Sequence, residues 1–141
     1  YWLLVAALGV AFILLSLYPV SQIFQIEEDR ERGDQTFAVR FGLKGVRLFF
    51  INAFLGGVLF VTLGLSYYYL LPALIFAVLS LLSFLFILLM ILNLSGDADE
   101  YALVMKIKFF ASFSFVVFII GMIVIKYHQT GIRWLDELFL R

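Results

Sequence analysis

The chain has 141 residues, 65% hydrophobic and 14% charged, with a formal net charge of zero. Soluble domains carry about 25% charged residues, and a chain this short leaves too much surface outside to hide so much apolar content from water. The composition therefore excludes a water-soluble domain and points to an integral membrane protein; the absence of a basic stripe gives no ground for a nucleic-acid partner, and the absence of cysteine excludes disulfides and thiolate sites.

The opening stretch YWLLVAALGV has no initiator methionine, no charged leading region and no small-residue cleavage site. It reads as a membrane helix entered partway rather than a signal peptide, and the chain as a fragment of a larger protein. Mean hydropathy is +1.10, and four apolar runs carry it: Trp2 to Leu17, Leu48 to Leu70, Ala73 to Leu94 and Ala102 to Ile125. The last three are long enough to cross a hydrocarbon core of about 30 Å at 1.5 Å per residue. No period-2 alternation of polar residues appears, which argues against a barrel. The expected fold is an all-α membrane helical bundle of four transmembrane helices in one domain over residues 1–141, with a charged loop at 18–47.

The connections differ in kind. The loop at 18–47 is long and charged, whereas Tyr67 to Pro72 carries no charge and its three tyrosines read as an interfacial belt at a tight hairpin. Pro72 suits a first helical turn. Gly56, Gly57 and Gly64 read as close-packing positions. In the third connection, GDADEY, Asp97 is expected to cap a helix start. The tail predicts an interfacial helix over 131–140, anchored by Trp134; His128 has no partner nearby in sequence and reads as a polar surface residue. Arg30, Arg32, Arg40, Lys44, Arg47, Lys106 and Lys108 fall on one side, against Lys126, Arg133 and Arg141 on the other. That bias places the charged loop in the cytoplasm.

The charged loop holds Glu27, Glu28, Asp29, Glu31 and Asp34 against Arg30 and Arg32 within eight residues. A wet connector explains charge in general, since charge at the bilayer centre costs about 2.5–3.5 kcal/mol. It does not explain the acids, which contribute little to orientation and face a negative leaflet. If the first helix continues past Pro19 at about 100° per residue, Tyr18, Gln22, Gln25, Asp29 and Arg32 share one face, with Glu27, Glu31 and Asp34 opposite. Gln25 and Asp29, four apart, can converge their oxygens on one hard cation such as Mg²⁺. Gly33 can end that helix, and Asp34 can cap a short one over QTFAVRF before Gly42.

The stretch YPVSQIFQIEEDRERGDQTFAVRFG, Tyr18 to Gly42, resembles the second aspartate-rich motif of the UbiA family of membrane prenyltransferases. Asp29 stands at the motif's second acid, Gly33 follows four residues later, and TFAVRFG matches its tail. One helix before the motif and three after it fit the C-terminal part of that nine-helix family. The first acid of the pair falls on Gln25, and the family's first aspartate-rich motif is not among these residues, so the chain is expected to hold at most half of an active site. The resemblance implies Mg²⁺-dependent transfer of a polyprenyl group from its diphosphate to an aromatic or other small acceptor, in a membrane-lipid setting and most simply a bacterial inner membrane. It implies Asp29, Gln25 and Glu28 toward the metal and Arg32 and Lys44 toward the diphosphate. An inactive homologue that binds isoprenoid lipid, and a transporter segment, are the alternatives. The latter wants ionisable residues deep inside helices, which these runs lack. Acceptor, prenyl length and oligomeric state stay open.

Overall fold

The computed structural model describes the backbone of residues 1–139 and side chains as far as Val124. It is 88% helical, with no strand among the described residues. The elements are α1 (Trp2–Ser16), a 3₁₀ segment (Pro19–Gln25), α2 (Ile26–Arg32), α3 (Phe37–Ser66), α4 (Leu70–Leu92), a 3₁₀ turn (Ala98–Glu100) and α5 (Tyr101–Phe139). Among the described residues, four helical stretches are long and apolar enough to cross a membrane: Trp2–Arg32, Phe37–Ser66, Leu70–Leu92 and Ala98–Val124. The all-α membrane bundle follows.

Two compact units are present, Tyr1–Ala111 and Ser112–Arg141. In the first, α1 lies against α3 along a seam of small residues. A Cβ added at Gly9 would sit 2.6 Å from the Gly57 carbonyl oxygen, and one at Gly64 would sit 2.7 Å from the Ala6 Cβ. Between helices in lipid the hydrophobic effect gives no net pull, so backbones approach closely where small residues allow it and gain dispersion contacts. The other face of α3 packs on α4 through Phe50, Phe54 and Phe84, with Phe50 stacked on Phe84 at 5.7 Å between centroids. Leu74, Val78, Leu82, Leu85 and Leu89 recur at helical spacing on α4 and are exposed, as lipid-facing residues are. The second unit is helical through Phe139, and its described apolar side chains, Val116, Ile120 and Ile123 among them, are exposed. His128 and Trp134 lie outside the residues whose side chains are described, as do residues 140 and 141 altogether.

The helix bounds differ from the apolar runs for a physical reason. α3 begins at Phe37, eleven residues before Leu48, because Arg40, Lys44 and Arg47 are helical residues above the oil. Hydropathy marks where the lipid is, not where the helix starts. Gly42 (φ 62°, ψ −176°) breaks α3 after its first turn, so the expected short helix before Gly42 is there, joined to the descending one through that kink. Pro72 is the third residue of α4, where its missing N–H costs no intrahelical bond.

The two ends of the first unit contrast. At one end Trp2 stacks on Tyr67 at 5.5 Å, beside exposed Tyr68 and Tyr69. At the other, the loop after α4 docks on the charged segment: Tyr101 meets Phe24 edge-on at 5.0 Å, and Gly96 (φ 102°) lies against Ile23, Ile26 and Leu43.

Candidate functional site

The charged segment is built by interrupted helix, not by continued helix. Pro19 has no N–H to offer the Leu15 carbonyl, which instead accepts from Tyr18 N–H at 3.1 Å. The chain tightens into 3₁₀ form through Gln25. The expectation that α1 runs on at 100° per residue is therefore corrected over Pro19–Gln25, where residues three apart eclipse and Gln22 lies under Gln25. α-Helix resumes at Ile26, with Gln25 (φ −107°, ψ 3°) as the joint.

α2 ends where the glycine signal places it. Gly33 is left-handed (φ 80°); its N–H donates to Arg30 O at 3.1 Å and Asp34 N–H donates to Asp29 O at 2.8 Å, closing the helix end. The next cap is Thr36, not Asp34: the Thr36 hydroxyl accepts from Val39 N–H at 3.3 Å, and Gln22 Oε1 accepts from Ala38 N–H at 3.4 Å. Both bonds satisfy orphan donors at the start of α3. The Asp34 carboxylate is drawn to Arg32 instead.

Asp29 is the centre of the arrangement. It is 4% exposed, while Glu27, Glu28, Arg30, Glu31, Arg32 and Asp34 are exposed. Arg32 Nη2 donates to Asp29 Oδ1 at 2.7 Å. The same guanidinium reaches Glu28 Oε1 through Nη1 at 3.2 Å and Asp34 Oδ2 through Nε at 3.4 Å. Arg30 pairs with Glu27 at 3.3 Å. So the structure brings Glu28, Asp29 and Arg32 together, and it adds Asp34. Gln25 is half-buried and makes no side-chain hydrogen bond among the described residues. Lys44 is exposed on α3 beyond the Gly42 kink and makes no ion pair with this cluster.

Among the described residues no group of three or more His, Cys, Asp or Glu is arranged to hold a metal. The donors present, one buried carboxylate and one amide four residues before it in sequence, are oxygen donors of the type a hard cation takes.

Two features went unread in the sequence. Arg47, read only as an orientation charge, donates through Nη2 to Leu92 O at 3.1 Å and Leu94 O at 2.9 Å. It thereby satisfies the open C-terminus of α4 and complements its dipole. Asp97 sits at the cap position of the 3₁₀ turn but makes no side-chain cap. Glu100 closes that loop instead, accepting from Ser95 N–H at 2.6 Å and Gly96 N–H at 2.9 Å. Comparison with protein-family models, with curated proteins and with solved structures finds no match to this chain.

Proposed function

We propose that this chain forms part of a UbiA-like membrane prenyltransferase, which transfers a polyprenyl group from its diphosphate to a small, most simply aromatic, acceptor. One observation carries the reading. Asp29 is a carboxylate 4% exposed at the charged end of an apolar helical bundle, and desolvating a charge is expensive unless something compensates it. Asp29, with Gln25 four residues before it and Glu28 next to it in sequence, would hold Mg²⁺, and a second acidic set from outside these residues would complete the site. A Mg²⁺ held there would supply positive charge to offset the diphosphate and the charge that develops on the leaving group. Arg32, now paired with Glu28, Asp29 and Asp34, would meet phosphate oxygens through its fork of donors once released from them. The apolar bundle excludes water from the allylic cation, and its phenylalanine faces are suited to stabilise it. The charged end faces the cytoplasm, in a bacterial inner membrane.

The test is diphosphate release from farnesyl diphosphate by the intact protein in lipid nanodiscs, with Mg²⁺ and with chelator. Asp29→Asn is expected to lower release by more than the 10–100-fold typical of groups behind a metal ligand, at unchanged helix content. Equal release by both forms refutes the assignment.

A second reading, an isoprenoid-diphosphate binder without turnover, is favoured by one feature. The Arg32 guanidinium already pairs with Glu28, Asp29 and Asp34, and Gln25 carries no charge. Saturable binding of farnesyl diphosphate with no release selects that reading.

A further inference from the structure

We propose that the kink at Gly42 and the groove below it hold an anionic phospholipid of the surrounding bilayer, with its phosphate at Arg40 and Lys44 and one acyl chain in the groove. The inference does not rest on prenyl transfer.

No Asp or Glu occurs between Gln35 and Gly96. Among the described residues Arg40 and Lys44 are exposed and make no ion pair, the bridges there being those of Arg30 and Arg32. The Gly42 kink lies between these two cations, beside an exposed aromatic ring. Gly45 lies so close under Phe41 that a Cβ there would collide with the Phe41 Cβ. Phe41 therefore folds back over the turn that carries Lys44, and the Arg40 guanidinium lies 5.5 Å from its ring centroid. Phe41 is 52% exposed, an apolar ring beside one exposed cation and three residues before another in sequence, the pairing of apolar body and charge that suits a headgroup–acyl boundary.

From that ring an apolar path leads down α3. Phe37 contacts Phe41 at 4.6 Å and Phe49 at 5.1 Å between centroids. Phe49 lines an open groove of about 270 Å³ with Phe12, Asn52, Ala53, Gly56 and Phe60. Its floor is open because a Cβ at Gly56 would have nothing within 4 Å. From Phe49 to Phe60 the helix rises about 17 Å, roughly one leaflet of a ~30 Å core. Two metal-free cations above a slot of leaflet depth match an amphiphile with an anionic head.

The phospholipid is favoured over a prenyl diphosphate on two grounds. A diphosphate carries more charge than two exposed cations balance, and the acids suited to bring a metal to it lie around Arg32, which neither Arg40 nor Lys44 contacts. A groove open to the bilayer also meets bulk lipid at far higher concentration than any substrate, and mass action fills it.

The experiment uses the intact protein in phosphatidylcholine nanodiscs doped with spin-labelled phosphatidylglycerol or phosphatidylcholine, reading the motionally restricted fraction. Phosphatidylglycerol is expected to be preferred about fivefold per cation, the equivalent of ~1 kcal/mol each at an anionic surface. Arg40→Gln with Lys44→Gln brings the preference to near one. Gly56→Leu, whose Cβ meets open space and whose side chain occupies the groove, lowers the restricted phosphatidylglycerol fraction at unchanged charge. High salt weakens the preference in the unaltered protein, which keeps the test sound if a variant fails to fold. Equal restriction of both labels, a salt-independent preference, an unaffected Gly56→Leu, or displacement of the label by micromolar farnesyl diphosphate overturns the proposal.

Discussion

Gly56 and Gly57 are neighbours on α3 and face opposite fates on substitution. A Cβ at Gly57 would lie 2.7 Å from the Gly9 carbonyl oxygen and 2.9 Å from the Ile13 nitrogen, where non-bonded contact begins near 3.5 Å. Backbone atoms cannot rotate aside, so α1 and α3 must part by roughly 0.8 Å, loosening Gly9 and Gly64 along the same seam. Overpacking of this kind costs about 1–3 kcal/mol, and with backbone on the receiving side the upper end applies. The alanine gains about 1 kcal/mol of helix propensity, which leaves Gly57→Ala about 2 kcal/mol destabilised. Gly56→Ala meets open space and keeps the propensity gain of about 1 kcal/mol. The difference, about 3 kcal/mol, cancels propensity and reports packing alone. Reversible unfolding in mixed dodecylmaltoside–SDS micelles, followed by circular dichroism, measures it. Gly9→Ala combined with Gly57→Ala should cost less than the sum, because helices already parted make room for the second methyl. If Gly56→Ala and Gly57→Ala fall within about 0.5 kcal/mol of each other, the seam is not as close as described.

Arg47→Met removes both hydrogen bonds to the end of α4 and leaves the Leu92 and Leu94 carbonyls open; the same unfolding assay should show a loss of about 1–3 kcal/mol, with faster amide exchange over residues 93–96. Arg47→Lys should recover only part of it, since both bonds come from the terminal Nη2 and the lysine side chain ends one atom short of that nitrogen. Glu100→Gln weakens the acceptors that hold Ser95 and Gly96 N–H; exchange at those two amides should rise about tenfold or more, the scale of a lost charge-assisted bond, while the global unfolding midpoint stays in place.

The membrane architecture was legible because apolar runs of membrane length have one physical solution: helices that satisfy their own backbone. Gly33 was legible as a helix end for a local reason, since only glycine enters the left-handed region there without strain. What failed was also local but depended on a competition. Pro19 was expected to let the helix pass, and its missing N–H instead tightened the chain into 3₁₀ form. Asp34 and Thr36 both suit a cap, and the Arg32 guanidinium decided between them by claiming Asp34. Arg47 was out of reach, because the carbonyls it holds are 45 and 47 residues away in sequence. Gly56 and Gly57 show the limit of pattern reading. Both were read as close-packing positions, but one helical step of about 100° puts one in a seam and the other over a groove.

The acids of the charged segment present a problem that the ion pairs only partly solve. Exposed pairs such as Arg32–Glu28 and Arg32–Asp34 add little by themselves; their effect is to hold the guanidinium over the buried carboxylate. Asp29 is the group that needs it, since a buried carboxylate stripped of its partner is left uncompensated. Glu31 has no ion pair among the described residues, and five acids against two bases leave three negative charges within eight residues. Solubility alone would be served as well by acids spread along the loop. Concentrating them on two turns of helix, with one carboxylate turned inward, makes sense if a cation from solution completes the balance. On the proposed function that cation and Arg32 compete for Asp29, so its arrival would free a guanidinium where a diphosphate is to be held. On that proposal the exchange would tie metal loading to phosphate binding through a single side chain, the one that makes the shortest ion pair of the segment, 2.7 Å, with its one buried acid.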